Sequence, residues 1–219
     1  MPIVALTGIV VFALLAFGLR GWIHYRRTGT TGFVGISGAA GSVEWLGGVL
    51  FAVALLAGFA APVVQLGGLV AASACIGGVA ANAAGLGLFA GGVAATLWAQ
   101  FAMGESWRIG VDQSERTRLV DSGPFRWVRN PIFSAMGMAT AGVVLLVPNM
   151  VALLALVALV VALEIQVRLV EEPYLTRTHG EQYLRYARRT GRFVPGVGRL
   201  GSKVGAATTR AARAGMEES

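Results

Sequence analysis

Residues 130–172 decide the fold, and they run NPIFSAMGMATAGVVLLVPNMVALLALVALVVALEIQVRLVEE. Two apolar runs, Pro131–Val147 and Met150–Val170, are separated only by Pro148 and Asn149, which are typical of a tight turn. A helix needs about 20 apolar residues, with a range of about 17–25, to cross a bilayer. The stretch therefore predicts a hairpin of two transmembrane helices.

Three further apolar runs precede the hairpin, and they are Ile3–Leu19, Trp45–Val64 and Ala81–Met103. The chain is 55% hydrophobic and only 13% charged, whereas soluble domains have about 25% charged residues. We therefore expect an all-α integral membrane protein with about five transmembrane helices. Residues 65–80 are apolar and glycine-rich, and the sequence leaves open whether they form a short sixth segment or a re-entrant piece.

The basic residues indicate how the spans are oriented. Arg20, Arg26 and Arg27 follow the first run, and positive charge favours the cytoplasmic side. We therefore expect the N-terminus outside, and residues 20–44, 104–130 and everything after 168 in the cytoplasm. The net charge of +7 fits anionic lipid, because no basic run has the interleaved aromatic residues of a nucleic-acid groove. The arginine-rich composition suggests a bacterial plasma (inner) membrane protein.

The composition excludes two kinds of site. The only cysteine is unable to form a disulfide framework within the chain, and it supplies no cysteine metal site. His24 and His179 are too few and too far apart to indicate a metal centre. We therefore expect no metal.

The polar residues gather at the ends of the hairpin. Asn130 and Pro131 predict a capped helix start, where free N–H groups and the helix dipole favour an anionic group; an ordinary helix start without a ligand is the alternative. Near the end of the second helix, one helical face carries Glu164, Arg168, Glu171 and Glu172. Glu164 and Arg168 are one turn apart and are expected to pair. This set predicts a functional site, with a charge-paired, snorkelling helix end as the alternative.

A short amphipathic helix is predicted after His179 and Gly180. It covers residues 181–189 on the cytoplasmic side, and Gly191 ends it. Tyr183 and Tyr186 are interpreted as interfacial anchors, and His179 as a structural residue.

We call residues 103–133, before and at the start of the hairpin, and residues 164–195, at and after its end, the two polar blocks. Together they resemble the isoprenylcysteine carboxyl methyltransferase and phospholipid methyltransferase superfamily of integral membrane methyltransferases. The matches extend over about residues 103–198 and are Leu119-Val120, Gly123-Pro124-Phe125, Arg129-Asn130-Pro131-Ile132-Phe133, Arg168, Glu171-Glu172, Leu175, Gly180, Tyr183 and Tyr186. The chain departs from the family pattern at four positions. Asn130 replaces a histidine, Phe125 and Phe133 replace tyrosines, and His179 replaces a phenylalanine.

The resemblance implies S-adenosylmethionine (SAM) as methyl donor and a lipid or lipid-like acceptor that arrives from the bilayer, with an isoprenoid as one option. It implies a catalytic set of Arg168, Arg129 and Glu172, in which the arginines orient the acceptor. It implies that the cofactor contacts are Thr117, Arg118, Leu119, Val120, Phe125, Asn130, Pro131, Ile132, Phe133, Glu171 and Glu172.

The resemblance also suggests a division of the chain. Residues 1–102 hold the N-terminal transmembrane helices, residues 103–198 the methyltransferase-like core, and residues 199–219 a basic flexible tail. Two other functions stay open at this point. One is an NADPH-dependent membrane reductase of the sterol or steroid reductase type, and the other is a non-enzymatic membrane protein. The sequence leaves the oligomeric state undetermined.

Overall fold

The computed structural model describes residues 1–33, 35–73, 76–107 and 119–201, and helices dominate these ranges. Within these described ranges, six helices of eight residues or more follow in chain order, and they are α1 Pro2–Thr28, α2 Val43–Leu66, α3 Val79–Met103, α4 Pro131–Leu146, α5 Met150–His179 and α6 Glu181–Arg189. Four of them, α1, α2, α3 and α5, are long and apolar enough to cross a membrane. The expectation of an all-α integral membrane protein is confirmed.

The helix α4 is shorter than the predicted fourth span. It has 16 residues, which give a length of about 24 Å at 1.5 Å per residue, against about 30 Å for the hydrocarbon core. Its end at Leu146 leads into the predicted turn. There Asn149 caps α5 by accepting a hydrogen bond from the N–H of Ala152 at 2.9 Å. Its amide also donates to the carbonyl of Ala61 at 3.0 Å, which ties the turn to α2.

Residues 65–80 add no sixth helix among the described positions. The helix α2 ends at Leu66, and α3 begins only at Val79. Gly68 breaks the helix, because its backbone takes a positive φ of 70°. The N–H of Ser73 donates to the carbonyl of Pro148 at 2.6 Å, so this loop lies beside the hairpin turn.

Small residues bring α3 and α4 into close contact. A Cβ atom added to Gly92 would lie 2.5 Å from the backbone nitrogen of Ala139, and one added to Gly142 would lie 2.5 Å from that of Phe89. Such close backbone approach is typical of membrane helix pairs. The helices α2 and α5 form a second pair, in which Ala54 packs against Leu159 and Leu163.

The contacts between helix ends define two sides of the bundle. Arg20 contacts Gly104, and Gly47 lies against Ile165. The ends of α1 and α3, the start of α2 and the later part of α5 therefore share one side, while residues 67–73 and the hairpin turn lie at the other. Measured along α5 from Met150, Glu172 lies about 33 Å away. A hydrocarbon core of about 30 Å that begins at Met150 places Glu172 at its edge.

Candidate functional site at the start of α4

The chain after α6 returns to the start of α4. We call residues 190–200 the C-terminal segment. The N–H of Arg129 donates to the carbonyl of Gly191 at 2.8 Å, and the N–H of Asn130 donates to that of Arg192 at 3.1 Å. One turn into α4, the hydroxyl of Ser134 donates to the carbonyl of Phe193 at 2.6 Å. The C-terminal segment therefore forms one wall of the region where the two polar blocks meet.

Asn130 precedes α4 as predicted, but its side chain does not cap the helix. No side-chain hydrogen bond caps this end. The amide Nδ2 instead donates to the carbonyl of Arg192 at 3.1 Å, the same oxygen that the backbone N–H of Asn130 uses. The predicted cap is therefore wrong, because the C-terminal segment competes for the side chain. The Asn130 side chain therefore does not neutralise the positive end of the α4 dipole.

A buried ion cluster lies beside this helix start. The carboxylate of Glu172 accepts hydrogen bonds from Arg129 at 2.5 Å and from Arg192 at 2.8 and 2.9 Å. The exposed fractions of the side chains are 13% for Glu172, 2% for Arg129 and 14% for Arg192. The hydrogen bond to Glu172 raises the pKa of the Arg192 guanidinium, and burial opposes it to a smaller extent. The cluster carries two positive charges and one negative charge.

Arg129 also connects the C-terminal segment to α6. Its guanidinium donates to the carbonyls of Ala187 at 3.0 Å, Thr190 at 2.7 Å and Gly198 at 3.2 Å. A planar guanidinium has five N–H donors. Four hydrogen bonds run from the two Nη atoms to three carbonyl oxygens and Glu172, and Nε has no partner among the described residues. Arg129 is therefore a buried crosslink between the start of α4, α5, α6 and the C-terminal segment.

The predicted pair of Glu164 and Arg168 is present, and it lies apart from the buried cluster. The two side chains form an ion pair and are 38% and 55% exposed. The turn between Arg168 and Glu172 is a π-helical stretch, Gln166–Glu171. A π-helix bonds residues five apart and is wider than an α-helix. The extra width turns Glu172 inward while Arg168 stays exposed, so the predicted common face divides into a buried part and an exposed part.

The helix α6 covers the site from the side of the bundle where α5 ends. Tyr183 and Tyr186 are only 1% and 5% exposed, and the hydroxyl of Tyr186 donates to the carbonyl of Phe125 at 2.7 Å. The interpretation of these tyrosines as interfacial anchors is therefore wrong. Burial raises the pKa of both hydroxyls above the ordinary value of tyrosine. The predicted bounds of the helix and its end before Gly191 are confirmed.

The remaining predicted contacts that the structure describes lie around the same region. Leu119 packs against Tyr183 and Tyr186, and Phe133 packs in a cluster that includes Phe193. Half-buried positions are Leu119, Val120, Ile132, Phe133 and Glu171, and fully buried ones are Phe125 and Pro131. Thr117 and Arg118 lie outside the described residues. Sequence reasoning assigned no role to Arg192. A single arginine after a short helix forms no pattern that would have indicated its contact with Glu172.

Residues 80–182 match the family model described as phospholipid methyltransferase. The matched range contains nearly all of α3, the whole of α4 and α5, and the first residues of α6. This part of the chain is similar to the phospholipid methyltransferase family, which confirms the resemblance and supports methyltransferase activity in the membrane. No curated protein and no solved structure matches the chain. Arg192 and the C-terminal segment lie beyond the matched range.

Proposed function

We propose that the protein transfers a methyl group from SAM to a lipid or lipid-like acceptor at the cytoplasmic face of the plasma membrane. The observation that carries the proposal is the start of α4, which lacks a side-chain cap and lies beside the cluster of Arg129, Glu172 and Arg192. Free N–H groups and excess positive charge suit a carboxylate. SAM has a carboxylate, an amine and a sulfonium, and it supplies an electrophilic methyl group when bound.

The residues around α4 fit the other parts of SAM. Ile132, Phe133 and Phe193 offer an apolar and aromatic surface, and aromatic faces attract cations such as a sulfonium. Glu171 is half-buried at the end of the π-helical stretch and is the carboxylate that we assign to the ribose or the amine. The segment that contains Thr117, Arg118, Leu119 and Val120 completes the predicted cofactor contacts.

Glu172 has a different role in this proposal from the catalytic base. Its carboxylate is shared by two arginines, and accepting a proton would leave both of them without a counter-charge. We therefore assign Glu172 to holding Arg129 and Arg192 against the start of α4. A carboxylate acceptor is already nucleophilic and needs no base, whereas an amine acceptor must lose a proton. For an amine, Glu164 and Glu171 are the candidate bases.

Arg168 is placed to meet the acceptor. It lies about 27 Å along α5 from Met150, close to the edge of the hydrocarbon core, and it is the most exposed charge of this site. A lipid acceptor that enters laterally from the bilayer, with its polar group at the edge of the hydrocarbon core, reaches the depth of Arg168 first. Methyl transfer is an in-line displacement, so orientation of the acceptor supplies much of the rate.

Ligand-induced stabilisation tests the class of activity. The detergent-purified protein is heated with SAM, with its demethylated product and with NADPH, and the shift in Tm is measured for each ligand. We expect stabilisation by SAM and its product. Stabilisation by NADPH alone would instead indicate a reductase, and no response to any ligand would indicate a non-enzymatic protein. Labelled SAM with total membrane lipid then identifies the methylated product.

The variant Asn130→Asp tests the position of the SAM carboxylate. It places a negative charge at the start of α4, and we expect the Kd for SAM to rise at least about tenfold, since 1.4 kcal/mol corresponds to a factor of ten. Asn149→Asp makes the same chemical change at the opposite end of the hairpin and serves as the control. Equal Kd values for wild type and Asn130→Asp would place the carboxylate elsewhere.

A further inference from the structure

An exposed aromatic surface lies between the end of α3 and the start of α4. The ring centres of Trp98 and Trp127 are 5.7 Å apart, and their planes are tilted by 59°. The two residues are 51% and 47% exposed, so both indoles face outwards. The guanidinium of Arg126 is exposed as well, and it lies 4.8 Å from the ring centre of Trp127. We call Trp98, Arg126 and Trp127 the tryptophan surface.

The chain before α4 has an outer and an inner side. Arg126 and Trp127 are exposed, whereas Val128 and Arg129 are only 8% and 6% exposed. The two buried residues join the C-terminal segment at Gly191, Val128 through a parallel β-bridge and Arg129 through its N–H. The tryptophan surface is therefore the outer side of the stretch whose inner side belongs to the buried ion cluster.

The packing of α3 on α4 gives the depth of this surface. Gly92 lies against Ala135 in this antiparallel pair. From Gly92, α3 rises about 9 Å to Trp98, and from Ala135, α4 extends about 6 Å back to its first residue, Pro131. Trp98 therefore lies close to the level at which α4 starts. It also lies about 28 Å along α3 from Val79, near the far edge of a hydrocarbon core of about 30 Å.

The chemistry of the tryptophan surface suits a phospholipid at this depth. Tryptophan is enriched at the membrane–water interface, because its ring is apolar while its N–H needs a polar partner. A guanidinium binds phosphate with two donors, and it can do so while it stacks on an aromatic ring. A glycerophospholipid offers a phosphate directly beside glycerol and acyl chains, so it matches both kinds of side chain.

We propose that the tryptophan surface binds a glycerophospholipid of the leaflet on the side where α3 ends. Arg126 contacts the lipid phosphate, and the indoles of Trp98 and Trp127 contact the glycerol and the first part of the acyl chains. Because Trp127 is joined through three residues to the first residue of α4, this contact fixes the depth of the helix start in the bilayer. The inference does not require a bound cofactor, so it stands apart from the proposed function.

Fluorine NMR of wild-type protein labelled with 5-fluorotryptophan tests the contact. The chain has five tryptophans, and Trp98→Phe and Trp127→Phe assign the two signals of the surface. The protein is placed in nanodiscs of phosphatidylcholine and phosphatidylglycerol that contain a nitroxide either on the lipid headgroup or in the middle of the acyl chain. We expect the headgroup nitroxide to increase the relaxation rate of the Trp127 signal at least about threefold more than that of Trp107, which is only 2% exposed. The mid-chain nitroxide is expected to affect Trp127 less.

Three results would overturn the proposal. Equal relaxation of the Trp127 and Trp107 signals by the headgroup nitroxide would show that no lipid headgroup lies at the surface. Stronger relaxation of Trp127 by a water-soluble nitroxide than by the headgroup nitroxide would show that the surface faces bulk water. A dimer that Trp127→Ala dissociates would show that a second copy of the chain covers the surface.

Arg126→Gln tests the contact with the phosphate. Short-chain phosphatidylglycerol or phosphatidylcholine is titrated into the protein in an uncharged detergent, and the fluorine signal of Trp127 gives the Kd. We expect wild type to bind phosphatidylglycerol at least about threefold more tightly, because this lipid lacks the positive charge that choline sets beside the phosphate. Arg126→Gln should remove this preference, whereas Arg177→Gln, at an exposed position near the end of α5, should keep it. Equal affinities in wild type, or an unchanged preference in Arg126→Gln, would contradict the assigned role of Arg126.

Discussion

Two glutamate–arginine contacts on α5 have the same chemistry, but they differ in burial and in the sequence separation of their partners. Glu164 and Arg168 are one helical turn apart, and both are substantially exposed. Glu172 is largely buried, and its partners Arg129 and Arg192 lie 43 and 20 residues away in the chain. The first contact depends on the local helix alone. The second forms only when α4, α5 and the C-terminal segment have come together.

The two contacts separate charges that stabilise the fold from charges that are available for chemistry. An exposed pair contributes about 0–1 kcal/mol, because solvent screens it and two long side chains must be ordered. Removing one partner of a buried pair costs about 3–5 kcal/mol, because it leaves an uncompensated charge. We therefore interpret the buried cluster as the element that shapes the site, and the exposed pair as the element that meets the acceptor.

Glu172→Gln gives the largest expected effect. It leaves Arg129 and Arg192 without a carboxylate, and we expect the free energy of unfolding in mixed micelles to fall by about 3 kcal/mol. Glu164→Gln is the matched control, with an expected loss below about 1 kcal/mol. Equal losses in the two variants would show that the buried and exposed contacts do not differ in energy.

Arg192→Met is expected to have the next largest effect. It removes two charged hydrogen bonds to Glu172, but Glu172 keeps Arg129 and the backbone bonds of the C-terminal segment remain. We expect a loss of about 2 kcal/mol in the free energy of unfolding and a weaker affinity for SAM. Arg192→Lys is expected to recover part of both, because lysine retains one charged contact. If Arg192→Met bound SAM as tightly as wild type, Arg192 would have no role in the site.

The local features were the ones that the sequence could predict. Apolar length and turn chemistry predict the hairpin, and the spacing of four predicts the Glu164–Arg168 pair. The end of α6 before Gly191 also follows from local rules. Each of these depends on neighbours within a few residues, where helix geometry is known in advance.

The features that the sequence did not predict depend on distant parts of the chain. Asparagine is a residue type that commonly caps helices, but the side-chain amide of Asn130 instead donates a hydrogen bond to the carbonyl of Arg192. The π-helical stretch before Glu172 changes which side chains share a face. The local sequence pattern did not predict it. Tyr183 and Tyr186 are buried because the chain before α4 covers them. Leu119 packs against the cluster that contains both tyrosines, and the carbonyl of Phe125 accepts a hydrogen bond from Tyr186.

Arg168→Ala tests whether the exposed pair meets the acceptor. The substitution removes one charged contact at the edge of the bilayer, and we expect the KM for the acceptor to rise roughly tenfold, equivalent to about 1.4 kcal/mol. The Kd for SAM and the free energy of unfolding are expected to change little. Arg185→Ala, an exposed arginine on α6, is the control. A rise in the Kd for SAM with an unchanged acceptor KM would move Arg168 from the acceptor side of the site to the cofactor side.

Salt gives the smallest expected effect and separates the two contacts without mutation. The Debye length falls from about 10 Å at 0.1 M to about 3 Å at 1 M salt, which screens exposed charges far more than buried ones. We therefore expect Glu164→Gln to cost a few tenths of a kcal/mol less in 1 M sodium chloride than in 0.1 M. The cost of Glu172→Gln should stay nearly constant, because the low exposure of the cluster keeps ions away from it. Denaturant unfolding of both variants at the two salt concentrations measures this difference, and a strong salt dependence for Glu172→Gln would mean that solvent reaches the cluster.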